Sequence, residues 1–186
     1  SDRLVGSEMC IRDSGLGHAI LQAKHIITDD FFGIILADDL ILSEPGCLKQ
    51  LLEIHEKTQS SVLGVFSASE NQVSNYGVIS SKNIDGIEKV DGIVEKPIPA
   101  DAPSNLAVFG RYILSKDIFL NIEQTKPGLN NEIQLTDAIQ DLISNQDVFA
   151  LEFEGRRFDC GSKEGYISAI IDRASSINKY KSIIEK

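Results

Sequence analysis

A few short polar clusters in this sequence carry side chains that could do chemistry. Asp38-Asp39 follows directly on the apolar run of residues 31–37. Adjacent carboxylates at a strand end repel one another unless a cation is shared, and Mg²⁺ takes one or two carboxylates together with phosphate oxygens and water. The same pair also reads as a turn or helix-capping motif. Glu95-Lys96-Pro97 closes a second apolar stretch. There a carboxylate could accept two sugar hydroxyls while the neighbouring ammonium pairs with a phosphate, gripping both ends of a sugar phosphate; alone, it equally reads as a solvated ion pair before a proline. Phe158-Asp159-Cys160-Gly161 stands at the mouth of the last helical stretch. Asp159 could give a second carboxylate to the same cation, with Gly161 allowing close backbone approach, or could serve as an N-cap. Gly15-Leu16-Gly17-His18-Ala19 exposes backbone that would suit a nucleobase edge, although a lone Gly-x-Gly is a weak signal. His18 reads as a first-turn helix residue, because no His or Cys accompanies it at metal-ligand spacing.

The elements that must position these clusters alternate between helical and extended periods. Ala19, Ile20, Ala23 and Ile27 predict an amphipathic helix, and residues 31–37 a buried strand. Glu44 and Pro45 signal a helix start, with Leu48, Leu51, Leu52 and His55 on one side. Strands are expected at 61–66, 76–80, 87–95 and 107–114, with Pro97, Pro99 and Pro103 in the loop before the last. Helices at 116–123 and 135–144, a strand at 148–153, and a long helix after Gly161 carrying Tyr166, Ile167, Ile170, Ile171 and Ala174 complete one α/β domain without repeats. In such sheets function sits in the crevice outside the carboxyl ends of the strands, where the three acidic clusters fall.

Composition narrows the chemistry further. With 186 residues, 42% hydrophobic and 25% charged, the chain is an ordinary globular domain rather than collagen, coiled coil or a disordered segment. No apolar run reaches the roughly 18 residues that span a bilayer. A formal charge of -10, with 18 basic residues scattered among 28 acidic ones, argues against a nucleic-acid surface. Cys10, Cys47 and Cys160 show neither metal spacing nor a disulfide framework, so free thiols in a reducing, cytoplasmic setting are expected.

Seven stretches, taken in order, resemble the bacterial UTP:glucose-1-phosphate uridylyltransferases. They are GLGHAIL (15–21), ILADDLIL (35–42), NYGVI (75–79), VEKP (94–97), APSNLAVFGRYIL (102–114), NEIQLTDAI (131–139) and FEGRRFDCGSKEGY (153–166). The resemblance covers essentially all of residues 15–186. It implies a Rossmann-like mixed-sheet nucleotidyltransferase fold that joins UTP and glucose 1-phosphate to give UDP-glucose and pyrophosphate, with Mg²⁺ as cofactor. Carried over by position, Gly15 would meet the uracil through its backbone, Asp38 and Asp159 would hold Mg²⁺, and Gly77 would approach the sugar. Glu95 would accept glucose hydroxyls, Lys96 would contact the sugar-linked phosphate, and Asn105 would lie on the sugar side. Lys96 and Asp38 are thereby the expected catalytic residues. The resemblance further implies homo-oligomers, and small-molecule partners rather than nucleic acid or membrane.

The sequence also departs from the family's pattern. Ala37 stands where the family usually has Pro, Asn130-Asn131 where a Gly pair commonly precedes Glu-Ile-Gln, and Ser162 where an acidic residue is common. Asn tolerates left-handed φ, so the turn at 130–131 is expected to survive. The family's Gly-rich G-x-G-T-R phosphate loop and its downstream Lys do not occur here. Residues 4–14 resemble a translated sequencing adapter, and Met9 is the only methionine, so residues 1–14 are read as non-native and residues 15–186 as an N-terminally truncated nucleotidyltransferase domain. Such a piece is expected to expose a strand edge, to be marginally stable and self-associating, and to make no UDP-glucose by itself. The alternatives are a sister transferase using dTTP and a non-catalytic sugar-nucleotide-binding module.

Overall fold

The computed structural model describes residues 14–128 and 131–184. The segment read as adapter-derived therefore lies outside the described residues except for Ser14, as does Asn130. In chain order the elements are α1 (Gly15–Leu21), β1 (Phe31–Ile35), β2 (Asp39–Leu42), α2 (Cys47–Thr58), β3 (Ser61–Ser67), β4 (Gly77–Ile84), β5 (Ile87–Glu95), β6 (Leu106–Ser115), α3 (Ile118–Gln124), α4 (Leu135–Asn145), β7 (Val148–Glu152), β8 (Arg156–Asp159), α5 (Lys163–Ser175) and α6 (Asn178–Ile184). Short 3-10 turns at Val73–Asn75 and Pro99–Asp101 lead into β4 and towards β6.

Six strands form a mixed sheet in the order β1-β6-β3-β7-β5-β4, in which β3 and β7 run parallel and the other neighbours antiparallel. A further pairing of Val78 with Ala107 brings β4 back against β6. Strand alternation divides the core between the two faces of this sheet. Leu63 on β3 and Val108, Tyr112 and Leu114 on β6 face α3 and α4, where they meet Ile118, Ile122, Ile139 and Leu142. Val62 on β3 and Phe109 and Ile113 on β6 face the other way, against Cys47 and Leu51 of α2. Helices thus cover both faces of a mixed sheet, as the α/β reading expects.

Several boundaries differ from the sequence expectation, each for a local reason. The helical pattern through Ile27 stops as an α-helix at Leu21, because Ala23 N–H bonds Ile20 O and Lys24 N–H bonds Leu21 O, winding residues 22–26 into tight turns. The apolar run at 31–37 is an edge strand rather than a buried one. Among the described residues β1 pairs only with β6, and Ile35 is 58% exposed. The expected helix after Gly161 is present as α5 and runs to Ser175, but it does not bury its apolar stripe: Tyr166, Ile167, Ile170 and Ile171 are all exposed, and only Ala169 is buried. Among the described residues no helix is long and apolar enough to cross a membrane.

β2 and β8 were not anticipated as strands. They form a separate two-stranded antiparallel ribbon with Asp39 opposite Asp159 and Leu42 opposite Arg156. This ribbon places the acidic clusters beside the main sheet.

Candidate functional site

The ribbon register explains how two aspartates far apart in sequence meet. With Asp39 opposite Asp159, Asp38 stands next to Cys160, whose N–H bonds Asp38 O at 2.7 Å. A Cβ placed on Gly161 would lie 3.1 Å from Asp159 Oδ1 and 3.4 Å from Asp38 Oδ2, so both carboxylates border the space that this glycine leaves open. Asp38 is exposed and Asp159 half-buried. Ser162, not Asp159, caps α5, accepting from Gly165 N–H at 3.0 Å.

Asp39 has a different task from its neighbour. It is buried, accepts the Gly110 N–H at 2.8 Å through Oδ2, and pairs with the Arg157 guanidinium through Oδ1. Arg157 lies over the rings of Phe66, Tyr76 and Phe109 at 4.6, 4.9 and 5.8 Å. Burial works against its charge, but the Tyr76 and Asp39 partners more than offset that, leaving its pKa above the ordinary guanidinium value.

β4 and β5 build the other wall. Their register sets Gly77 opposite Glu95, and Lys96 N–H bonds Tyr76 O at 3.0 Å to close the pair. Lys96 takes φ of +45°, an uncommon conformation for a side-chain-bearing residue, immediately before Pro97. Glu95 Oε2 accepts from Thr136 Oγ1 at 3.0 Å, and its Oε1 lies 3.5 Å from Lys96 Nζ. Gly77 is required by this arrangement, because a Cβ there would approach Thr136 Cγ2 to 2.6 Å.

These groups line one cavity of about 390 Å³, within the range of small-molecule sites. Asp38, Asp39, Glu95, Glu132 and Asp159 face it together with Lys96 and Arg157, so carboxylates outnumber cations. Arg157 pairs with Asp39 and Lys96 with Glu95, which leaves Asp38, Asp159 and Glu132 as the lining carboxylates outside these two ion pairs. Tyr112, also in the lining, is kept in its neutral form because burial, then the charges of Asp39 and Glu95, push its hydroxyl pKa far up. Among the described residues no group of three or more His, Cys, Asp and Glu side chains is arranged to hold a metal alone. Two carboxylates are nonetheless a donor set that a hard divalent cation accepts when phosphate oxygens and water complete its shell.

Of the residues singled out from sequence, Asp38, Gly77, Glu95, Lys96 and Asp159 come together in this cavity, whereas Gly15 and Asn105 do not line it. The close approach that Gly15 and Gly17 permit is to the Ile133 backbone, although Leu16 and Glu132 beside them reach the cavity. Asn105 is exposed at the start of β6, where its carbonyl accepts from Ala68 N–H. Asn131 does adopt left-handed φ, at +61°. Sequence reasoning missed Tyr76, Thr136 and the pairing of Arg157 with Asp39, though the first two lie inside the recognised NYGVI and NEIQLTDAI stretches.

A model of the nucleotidyl transferase family matches residues 6–176. The chain belongs to the nucleotidyl transferase family. Within that family it is 47% identical over 158 residues to a UTP--glucose-1-phosphate uridylyltransferase of Pseudomonas aeruginosa, covering 83% of this chain and 57% of the relative. It is 44% identical over 166 residues to UTP--glucose-1-phosphate uridylyltransferase 2 of Streptococcus pyogenes serotype M3, covering 86% of this chain and 56% of the relative. Among solved structures, UDP-glucose pyrophosphorylase complexed with UDP-glucose superposes with a TM-score of 0.85 at 45% identity, over 88% of this chain and 64% of that one. UTP-bound UGPase from Acinetobacter baumannii superposes with a TM-score of 0.78 at 34% identity, over 92% and 60%. This nucleotidyl transferase chain thus spans less than two thirds of the length of the relatives it matches.

Proposed function

We propose that this chain supplies the sugar-phosphate and metal-binding part of a uridylyltransferase that joins UTP and glucose 1-phosphate to give UDP-glucose and pyrophosphate. The observation that carries this reading is the convergence of Asp38, Asp159, Gly77, Glu95 and Lys96 on one cavity. The names of the relatives at 44 to 47% identity support the choice of base and sugar.

The reaction is an in-line displacement. A phosphate oxygen of glucose 1-phosphate forms a bond to the α-phosphorus of UTP, the bond from that phosphorus to the bridging oxygen breaks, and pyrophosphate leaves with the electron pair. Catalysis then consists mainly of alignment and charge neutralisation, with no covalent nucleophile required. Glu95, braced by Thr136 and Lys96, accepts sugar hydroxyls, and the absence of a side chain at Gly77 lets the hexose lie against β4. Lys96 Nζ pairs with the sugar-linked phosphate. Asp38 and Asp159 hold Mg²⁺, which when bound supplies positive charge to the crowded phosphate oxygens. Gly15, packed against Ile133 at the cavity's border, remains the proposed uracil contact. Asn105 is given no role.

The test is titration of UDP-glucose into the full chain in the presence of Mg²⁺. Binding is expected, weakened about tenfold or more in Glu95→Gln and in Lys96→Ala, because a hydrogen bond or ion pair to a charged group is worth about 1.5 to 3 kcal/mol. Equal affinity in both variants would remove this wall of the cavity from the substrate site.

A further inference from the structure

Strand alternation along β8 puts Arg157 and Asp159 on one face of the ribbon, and the Tyr76 hydroxyl sits against both. It lies 3.2 Å from Arg157 Nη1 and 3.2 Å from Asp159 Oδ2. The direction of each bond follows from the groups themselves. A guanidinium can only donate, so the hydroxyl oxygen accepts from Arg157, and its single proton is left for the carboxylate. The other carboxylate oxygen, Asp159 Oδ1, accepts the Gly161 N–H at 3.1 Å. Both oxygens are thereby tied, and the plane of the carboxylate is set with Oδ1 towards the space beside Gly161 that Asp38 Oδ2 also borders.

Arg157 itself is not free to grip a substrate phosphate. Its side chain is only 12% exposed, is paired with Asp39, and is enclosed by three aromatic rings. Its available contribution is to hold the Tyr76 hydroxyl in one orientation. A relay of this kind, from buried cation through hydroxyl to carboxylate, corresponds to the outer groups that orient metal ligands elsewhere.

We infer that Tyr76 is a positioning residue for the metal carboxylate Asp159, with Arg157 fixing the direction of its hydroxyl. This inference rests on the reading of Asp159 as a ligand. Tyr76→Phe removes only the hydroxyl and keeps the ring that packs edge-on to Phe66 at 5.2 Å and beneath Arg157. The measurement is direct Mn²⁺ binding to the full chain, by calorimetry or by the loss of the free-ion electron paramagnetic resonance signal, so that no turnover is needed. The unaltered chain binds Mn²⁺, Asp159→Asn abolishes binding, and Tyr76→Phe weakens it by about ten- to hundredfold while melting with the unaltered chain. Without any substitution, Mn²⁺ should also shift the near-ultraviolet tyrosine absorption, a shift that Tyr76→Phe lacks. Unchanged affinity in Tyr76→Phe, or a silent tyrosine spectrum in a chain that binds metal, overturns the positioning role and leaves the metal site standing. No Mn²⁺ binding by the unaltered chain overturns both.

Discussion

Adding a single methyl at Gly77 should expose how tightly the sugar wall is built. The Cβ of Gly77→Ala would stand 2.6 Å from Thr136 Cγ2, where an ordinary carbon contact needs about 3.5 to 4.0 Å, so a gap of about 1 Å must open. Thr136 sits in the first turn of α4, and a β-branched residue there has few rotamers to choose from. Turning Cγ2 away also turns Oγ1 away from Glu95 Oε2, which loses a hydrogen bond to a charged group worth about 1.5 to 3 kcal/mol. Leaving Thr136 in place instead meets the overpacking cost of about 1 to 3 kcal/mol. Gly77→Ala alone should therefore destabilise by about 1 to 3 kcal/mol, the cost of the cheaper of these two responses. In the Thr136→Ser background the clashing methyl is gone and the hydroxyl donor remains, so the same substitution should cost less than about 1 kcal/mol. Urea unfolding followed by circular dichroism on the four proteins of this cycle reads the coupling. Additive effects within about 0.5 kcal/mol would refute the argument, because they would mean that Thr136 is not what Gly77 is kept small for. The double variant should still bind UDP-glucose poorly, since the new methyl would lie 3.5 Å from Glu95 Oε2, in the space assigned to the hexose.

Three other outcomes follow from the same geometry. Asp38→Asn should leave the melting temperature nearly unchanged but lose Mn²⁺ binding, whereas Arg157→Ala should destabilise by about 3 to 5 kcal/mol by stranding buried Asp39; similar melting curves for the two would contradict the division of labour between the neighbouring aspartates. Cys47 is buried, which pushes its thiol pKa up to about 11, so at pH 8 only about one molecule in a thousand carries the thiolate. Native-state alkylation should therefore modify partly exposed Cys160 before Cys47, with Cys47 reacting faster only as pH rises towards 11 or the chain unfolds, and equal rates of these two at pH 8 would disprove the burial of Cys47. The exposed Tyr166, Ile167, Ile170 and Ile171 stripe should bind an apolar fluorescent dye in the native state, with Ile167→Lys and Ile171→Lys together lowering the signal; a dark native chain would show that the stripe is covered.

What could be read from the residues depended on whether the signal was local. β5 ends at Glu95 as its alternation and the following proline suggested, and Ser61–Ser67 is a strand buried over residues 61–65 because its apolar run is short, β-branched and flanked by polar residues. The helix boundaries at Leu21 and Ser175 were not legible in the same way. The apolar spacing continues past both points, and only the i to i−3 bonding after Ile20 and the turn at Ser176 show where each helix gives way. The same limit applies to the α5 stripe, whose periodicity announces an apolar face without saying whether anything covers it.

The ribbon of β2 and β8 is the most instructive case, since it governs the site and neither strand is visible in isolation. DLIL and RRFD are each only four residues long, and each abuts residues that read as a turn or a helix start. Pairing is a property of the two together, and register is what assigns the chemistry. Sliding β8 by one residue would reverse which of its side chains face Tyr76 and Asp39, putting Phe158 where Asp159 now stands. Two adjacent aspartates in the sequence therefore could not be assigned separate roles before the register was known. Asp39 falls inside the ribbon, where an N–H and a guanidinium satisfy it, and Asp38 falls just outside, where its carboxylate is exposed. The structural aspartate is thus part of the device that presents the functional one, which is why a change at either should be read with both stability and metal binding.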